Sequence, residues 1–279
     1  MAVVSFKTLM GVSSDVATPV TKEFTIFNRN HWTVTNGGCC LQWTVPASVQ
    51  MVKFEILSGG GPGGSSGGDH DVPMGGQGGN YAMIQLFASD SEFTAGSSQY
   101  TLCAAGTSNC SCCCHCCSAC RDGCTSYVTG DGLTNFCTVG GRGGSNSWDK
   151  MSSCYNCGLA TQCNLGTYNE NWITNATNPG FCGIPETPTE KSMGYTGTTG
   201  HSYHGYDCCS HVFTTAGGPT GPFAVSYTGQ GSSWCTGAYS CCSSHSMFPG
   251  GAGVGVGHAT SSACWGHWGA GGLVKVTYQ

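Results

Sequence analysis

Short runs in which apolar and polar residues alternate at every second position recur along this chain. In 52–57, Val52, Phe54 and Ile56 share one face of such a run, and Lys53 and Glu55 share the other. This alternation is typical of strands with one buried and one solvent-facing side. It predicts strands at 23–27, 31–35, 41–45, 52–57, 81–87, 100–103, 223–227 and 273–278. No stretch shows a capped 3.6-residue apolar stripe, so we expect an all-β protein with very little helix.

Runs of glycine begin or end directly on several of these strands. They lie at 59–68, 75–79, 140–144, 250–257 and 269–272. Because glycine has no side chain to bury, the backbone groups of these runs must find hydrogen-bond partners elsewhere. We therefore expect the runs to pack side by side as extended loops at one end of an antiparallel, jelly-roll-like β-sandwich.

The chain divides into four predicted parts. Residues 1–36 are expected to form an N-terminal docking arm, and residues 37–145 a β-sandwich with glycine loops and a cysteine cluster. Residues 146–270 are interpreted as loop-rich insertions that carry cysteines and aromatic residues. Residues 271–279 are expected to return as the closing strand of the sandwich.

Composition changes the expected source of stability. The 279 residues include 46 Gly and 22 Cys, and only 8% are charged. Ordering a glycine costs about 0.5–1 kcal/mol more than ordering an alanine, whereas a disulfide contributes about 2–4 kcal/mol. We therefore expect cross-links to supply stability that a small core cannot.

The compartment implied by the first residues conflicts with the cysteine content. The start of the chain has no signal-peptide pattern, so synthesis in a reducing cytoplasm is predicted. Two routes resolve the conflict: the thiols bind metal, or the protein leaves the cell by lysis and oxidises afterwards.

The densest cysteine cluster runs from Cys110 to Cys120 and holds seven cysteines and one histidine. One hypothesis is an iron–sulfur ligand set, since the spacing of four cysteines fits one; these are Cys114, Cys117, Cys120 and Cys124. A second is a structural zinc site that uses His115. The zinc ligands would come from Cys113, His115, Cys116, Cys154 and Cys157.

Disulfides are favoured over metal binding for these cysteines. A structural Zn or Fe is the only cofactor that the sequence suggests. Adjacent cysteines bond to each other only with strain, and each vicinal pair is therefore expected to clip two separate segments. The disulfide candidates are Cys39, Cys40, Cys103, Cys110, Cys112, Cys113, Cys116, Cys137, Cys154, Cys157, Cys163, Cys182, Cys208, Cys209, Cys235, Cys241, Cys242 and Cys264.

Several function classes do not fit the sequence. A net charge of −5 without a basic cluster argues against nucleic-acid binding, and no apolar run is long enough to predict membrane insertion. Gly59, Gly61 and Gly64 match a dinucleotide-binding pattern, but Pro62 and further glycine follow where a helix should begin. We expect no catalytic residues and no enzyme activity.

Aromatic residues concentrate late in the chain among Gly, Ser and Cys. Rings on cross-linked loops offer large contact area at low entropic cost, which favours recognition of a surface glycan or protein. The contact candidates are Tyr203, Tyr206, Trp234, Tyr239, Trp265 and Trp268. The alternative is that these rings fill small cores beneath the loops.

Four sequence marks carry a resemblance to a known group of proteins. They are the W-T-V-P turn at 43–46, a strand running into polyglycine in MVKFEILSGGGPGG, the strand start GGQGGNYAMIQLF, and the closing GAGGLVKVTYQ. The shorter motifs YTLCAAG and TVGGRGG accompany them. Together these marks resemble the glycine-rich structural proteins of tailed phages, especially the cysteine-rich, tail-fibre-like virion proteins of marine cyanobacterial myoviruses.

The resemblance implies a virion structural protein, as a surface appendage or tail-fibre tip with host-receptor contact. It further implies a homo-oligomer, predicted as a trimer, that contacts other virion proteins. A capsid-decorating protein and a metal- or iron–sulfur-binding protein centred on 110–124 are the alternatives.

Overall fold

A computed structural model describes residues 20–27, 39–63, 75–106, 123–143, 180–184, 189–198, 201–204, 211–215, 221–223, 230–234, 248–253 and 268–279. Within these ranges the regular structure consists of strands and two short 3₁₀ turns, Ala88–Asp90 and Gly221–Phe223. The predicted all-β class, with antiparallel sheets and essentially no helix, is confirmed. The closer comparison with a jelly roll stays a prediction.

The described residues form thirteen strands, numbered in chain order. They are β1 Lys22–Phe27, β2 Cys39–Thr44, β3 Met51–Leu57, β4 Tyr81–Phe87, β5 Gln99–Ala104, β6 Ser126–Gly130, β7 Leu133–Thr138, β8 Phe181–Cys182, β9 Ser192–Tyr195, β10 His201–His204, β11 His211–Thr215, β12 Gln230–Trp234 and β13 Leu273–Tyr278. Two five-stranded sheets have the orders β1-β13-β3-β4-β9 and β2-β5-β6-β7-β8. A three-stranded sheet has the order β10-β11-β12.

The hydrophobic core lies between the two five-stranded sheets. The first sheet contributes fully buried side chains from β3 and β13, among them Phe54 and Val276, and the second contributes Tyr100, Leu102 and Phe136. This is the core that period-two alternation predicts for a two-sheet sandwich.

An aromatic cluster closes this core near one side of the sandwich. Trp43 of β2 packs against Phe24, Phe54, Tyr100 and Tyr278, with ring centroids 5.5–6.2 Å apart. Trp43 therefore links β1, β3, β5 and β13 across the two sheets.

Most of the predicted strands are present, and the differences have local causes. The strand predicted at 223–227 is wrong at its start, because Phe223 ends a 3₁₀ turn in which Pro222 cannot donate a hydrogen bond. The rest of that predicted strand, 224–227, and the strand predicted at 31–35 lie outside the described residues. The hairpin β6–β7 was not predicted. Its Asp131-Gly132 turn was the available signal, with Gly132 at φ +72.

The outer face of β3 is less exposed than the alternation predicts. Glu55 is only 6% exposed, and its carboxylate accepts a hydrogen bond from the Tyr81 hydroxyl at 2.9 Å and pairs with Lys53 at 3.0 Å. A second small apolar cluster covers this face. The predicted solvent-facing position of Glu55 is therefore corrected: this face is covered around Glu55, whereas Lys53 is partly exposed.

The predicted domain boundaries also need correction. β1 belongs to the range predicted as an N-terminal arm, yet all six of its residues pair with β13. β8 and β9 belong to the predicted insertions, yet they are the outermost strands of the two large sheets. The sandwich therefore recruits strands from outside 37–145, because sheet edges are satisfied by segments that are distant in the sequence.

The sandwich has two chemically different ends. At one end short turns connect the strands, and Gln50 N–H donates to the carbonyl of the last residue, Gln279, at 2.7 Å; this is called the turn end. At the other end the glycine segments continue from β3, β7 and β9 and lead into β4, β6 and β13; this is called the glycine end.

Candidate functional site

The glycine segments pack side by side at the glycine end, which confirms the predicted arrangement. These packed segments are called the glycine bundle. Segment 58–61, which continues from β3, lies at its centre. Backbone hydrogen bonds join it to segments that contain Gln77 and Asn80, Cys124, Gly141, Gly253, and Ala270. Regions far apart in the sequence are thus held around one central chain.

Successive backbone groups of the central segment point in different directions. Three consecutive N–H groups donate to three different segments: Gly59 to Cys124 at 3.0 Å, Gly60 to Ala270 at 2.9 Å and Gly61 to Gln77 at 2.8 Å. None of these three N–H groups donates to a carbonyl of the segment itself. The bundle is therefore held together by backbone hydrogen bonds between its segments, and not by side-chain packing.

The close approach of these chains explains the glycine content. A Cβ atom on Gly59 would lie 2.9 Å from the carbonyl oxygen of Gly106, and one on Gly60 or Gly61 would overlap neighbouring backbone. Real Cβ atoms do not approach backbone that closely. Only glycine fits at the centre of the bundle.

Four buried polar side chains fix the bundle to the sheets. Asn80 Nδ2 donates to Val139 O at 2.7 Å, while Asn80 Oδ1 accepts from Gly197 N at 2.8 Å. Ser126 Oγ donates to Leu57 O at 2.7 Å. Ser58 Oγ accepts a hydrogen bond from the Asn80 N–H, and Gln77 Nε2 donates to Gly197 O. These residues satisfy backbone groups that would otherwise be buried without partners.

Sequence reasoning missed these four residues as functional positions. The available signal was their placement, since Ser58 and Asn80 each stand at the junction between a glycine run and a strand. A polar residue at such a junction can bond the first backbone groups that the sheet leaves unpaired.

Two disulfides join strands within the second sheet. Cys40 of β2 bonds Cys103 of β5, and Cys137 of β7 bonds Cys182 of β8. These bridges span sequence separations of 63 and 45 residues. Of the predicted vicinal pair, Cys40 is bridged to a separate segment. The disulfide predicted for Cys39 is wrong, because Cys39 is an exposed free thiol.

Most of the other cysteine candidates stay predictions. Those outside the described residues are Cys110, Cys112, Cys113, Cys114, Cys116, Cys117, Cys120, Cys154, Cys157, Cys163, Cys208, Cys209, Cys235, Cys241, Cys242 and Cys264, together with His115. In the part of the chain that the structure describes, no group of three or more His, Cys, Asp or Glu side chains is placed to hold a metal ion.

Cys124 is the member of the predicted iron–sulfur set that the structure describes. Its carbonyl accepts the Gly59 N–H, so its backbone belongs to the glycine bundle. Burial raises the pKa of its thiol, with a smaller opposing effect from a backbone hydrogen bond to Gly106.

The dinucleotide-binding pattern at Gly59 and Gly61 has a structural explanation. The N–H groups that would have to bind a pyrophosphate donate to carbonyls of the bundle instead. These glycines serve close chain packing.

The structure places three of the six aromatic candidates. Tyr203 lies in β10 opposite Phe213, and Trp234 lies in β12 opposite His211. Trp268 is half-buried and precedes Gly269, which packs against Gly60 in the bundle. Tyr206, Tyr239 and Trp265 lie outside the described residues.

The comparisons with known proteins leave the family open. No protein-family model and no curated protein matches the chain. In the described ranges, no helix combines the length and the hydropathy that crossing a bilayer would require.

Proposed function

We propose that this chain is a structural protein of a phage virion, a surface appendage or tail-fibre tip component, that presents loops for host contact at its glycine end. The proposal is a binding and structural role, without catalysis. The protein is proposed to act as a homo-oligomer alongside other virion proteins, made in the host cytoplasm and released by lysis.

One observation carries the proposal: the long connections of the sandwich all begin and end at the glycine end. The described chain stops near the bundle at Gly63, Gly106, Gly143 and Gly253. It resumes at the same end at Gly75, Gly123, Gly180 and Trp268. The connections between these points contain 64–74, 107–122, 144–179 and 254–267.

Those connections carry the cysteine cluster and one of the aromatic contact candidates, Trp265. The described connections at the turn end are shorter, such as 45–50 and 131–132. An elongated particle component needs this polarity, because one end attaches while the other is presented. Backbone hydrogen bonding and disulfides support a presenting scaffold that tolerates dilution outside the cell.

Immunogold labelling of purified particles, combined with adsorption of purified protein to host cells, tests the proposal. We expect label at the tail and saturable adsorption that Trp268→Ala weakens. The control is Phe87→Ala, which removes a half-buried ring from β4 at the turn end. Label on the head would favour a capsid-decorating role, and absence of label from the particle would overturn the proposal.

A further inference from the structure

Among the described residues, the outer edge of β2 is a hydrogen-bonding surface without a partner strand. Cys40 and Cys103 stand opposite each other with Cα atoms 4.2 Å apart, the spacing of a non-hydrogen-bonded antiparallel pair. In the same register, Val45 N–H donates to Ser98 O at 2.9 Å. Odd-numbered residues therefore bond β5, and the backbone groups of Cys40, Gln42 and Thr44 point away from the sheet.

These outward groups are not used elsewhere in the described part of the chain. None of the three residues takes part in a backbone hydrogen bond outside the β2–β5 ladder. The edge is also accessible, since Leu41 is 40% exposed and most residues of β2 are exposed. The disulfide to β5 fixes the position of β2, so that its outer edge is available for pairing with another strand.

β2 differs from the other outermost strands of the two large sheets. β8 has two residues and β9 four. β1 is as long as β2 but carries Lys22 and Glu23. Short length and charge are the devices by which proteins prevent edge-to-edge pairing. β2, with the sequence CCLQWT, is long, uncharged and free of proline.

We propose that β2 pairs with β2 of a second copy of this chain, antiparallel about a two-fold axis at Gln42. In this register Gln42 stands opposite Gln42 of the other copy, and the outward backbone groups of both strands become paired. Leu41 stands opposite Trp43 of the other copy on the face that carries the aromatic cluster. The pairing is self-complementary in hydrogen bonds and in apolar contacts, which an isologous interface requires.

This inference adds the contact surface to the proposed homo-oligomer, and it does not depend on the virion role. A two-fold contact gives an even number of copies, unlike the predicted trimer. It leaves the glycine end of both copies unobstructed, because β2 runs along the side of the sandwich. A failure of dimerisation would therefore be separable from a failure of host adsorption.

Charge reversal at the axis tests the pairing on the full chain by sedimentation equilibrium across the micromolar range. Gln42→Glu and Gln42→Lys each place like charges directly opposite each other, and each is expected to weaken self-association by about five-fold or more. Mixing the two variants places opposite charges at the axis and should restore association to at least the wild-type level.

The controls are Thr25→Glu and Thr25→Lys on the exposed face of β1, which should leave the mass distribution unchanged. Thermal melting of every variant checks that the fold is retained. The proposal is overturned if the wild-type chain is monomeric throughout, if the Gln42 variants associate like wild type, or if mixing fails to restore association.

Discussion

Gly61 approaches Arg142 so closely that a Cβ atom on Gly61 would overlap the Arg142 carbonyl group. The two residues come from segments that follow β3 and β7, and they meet at the centre of the glycine bundle. Their contact shows how the bundle packs: the distance between neighbouring segments is set by direct contact between backbone atoms. A methyl group is too large for that space.

We predict that Gly61→Ala destabilises the protein by about 3 kcal/mol, the scale of overpacking in a close-packed interior. Gly96→Ala is the control: its Cβ would meet Ala47 at an ordinary 3.7 Å, and only its positive φ of +82 is unfavourable. That strain should cost about 1 kcal/mol. Urea unfolding midpoints measure both, and equal losses would show that the bundle is loosely packed.

The Cys40–Cys103 bridge should contribute measurably to stability. Replacing both residues by alanine is expected to cost about 2–4 kcal/mol, because the unfolded chain regains the freedom of a long loop. Cys39→Ala is the matched control, since Cys39 is adjacent but forms neither bridge, and it should leave the melting temperature nearly unchanged. A larger effect of Cys39→Ala than of the double variant would contradict the bridging scheme.

Tyr100 should make stability depend on pH in the alkaline range. Burial, helped by the nearby Asp131 and Glu92 carboxylates, raises the pKa of Tyr100 from 10.0 to about 12. The folded state then retains the phenol proton where the unfolded state loses it. The contribution of Tyr100 is fully present below pH 10 and is lost as the pH rises through about 12.

Tyr100→Phe reveals this dependence as a difference between two curves. Below pH 10 the variant should be less stable by about 1 kcal/mol, because the Tyr100 hydroxyl no longer donates to Asp131 O. Above pH 10 the difference should shrink and then reverse. Denaturant unfolding at stepped pH values measures it, and a constant difference up to pH 12 would refute the assignment.

Thr138 offers a stabilising substitution. Its side chain is fully buried, and its Oγ1 has no hydrogen-bond partner among the described residues. Thr138→Val keeps the shape and removes the buried hydroxyl, so a gain of about 1 kcal/mol is expected.

Thr101→Val is the comparison for that substitution, because Thr101 Oγ1 accepts a hydrogen bond from Gln42 at 2.8 Å. This change should be neutral or destabilising. Thermal unfolding of the two variants side by side measures the contrast, and destabilisation by Thr138→Val would reveal a polar partner for its hydroxyl.

The amino-acid sequence by itself determined the strand periods, the all-β class and the side-by-side packing of the glycine runs. β3, β4 and β13 were predictable because alternation is a local property, visible in runs such as 52–57. The glycine runs were predictable because chains without side chains can satisfy only their own backbone groups.

Tertiary structure alone decided which strands pair and which segments contact each other. Nothing local in β1 indicates pairing with β13 about 250 residues later, and nothing local in Cys40 selects Cys103 over the other cysteines. The burial of Glu55 and the bonding of Asn80 also depend on partners that are brought by distant strands. Long-range pairing depends on the register and shape of the whole sandwich, and short sequence windows carry no record of either.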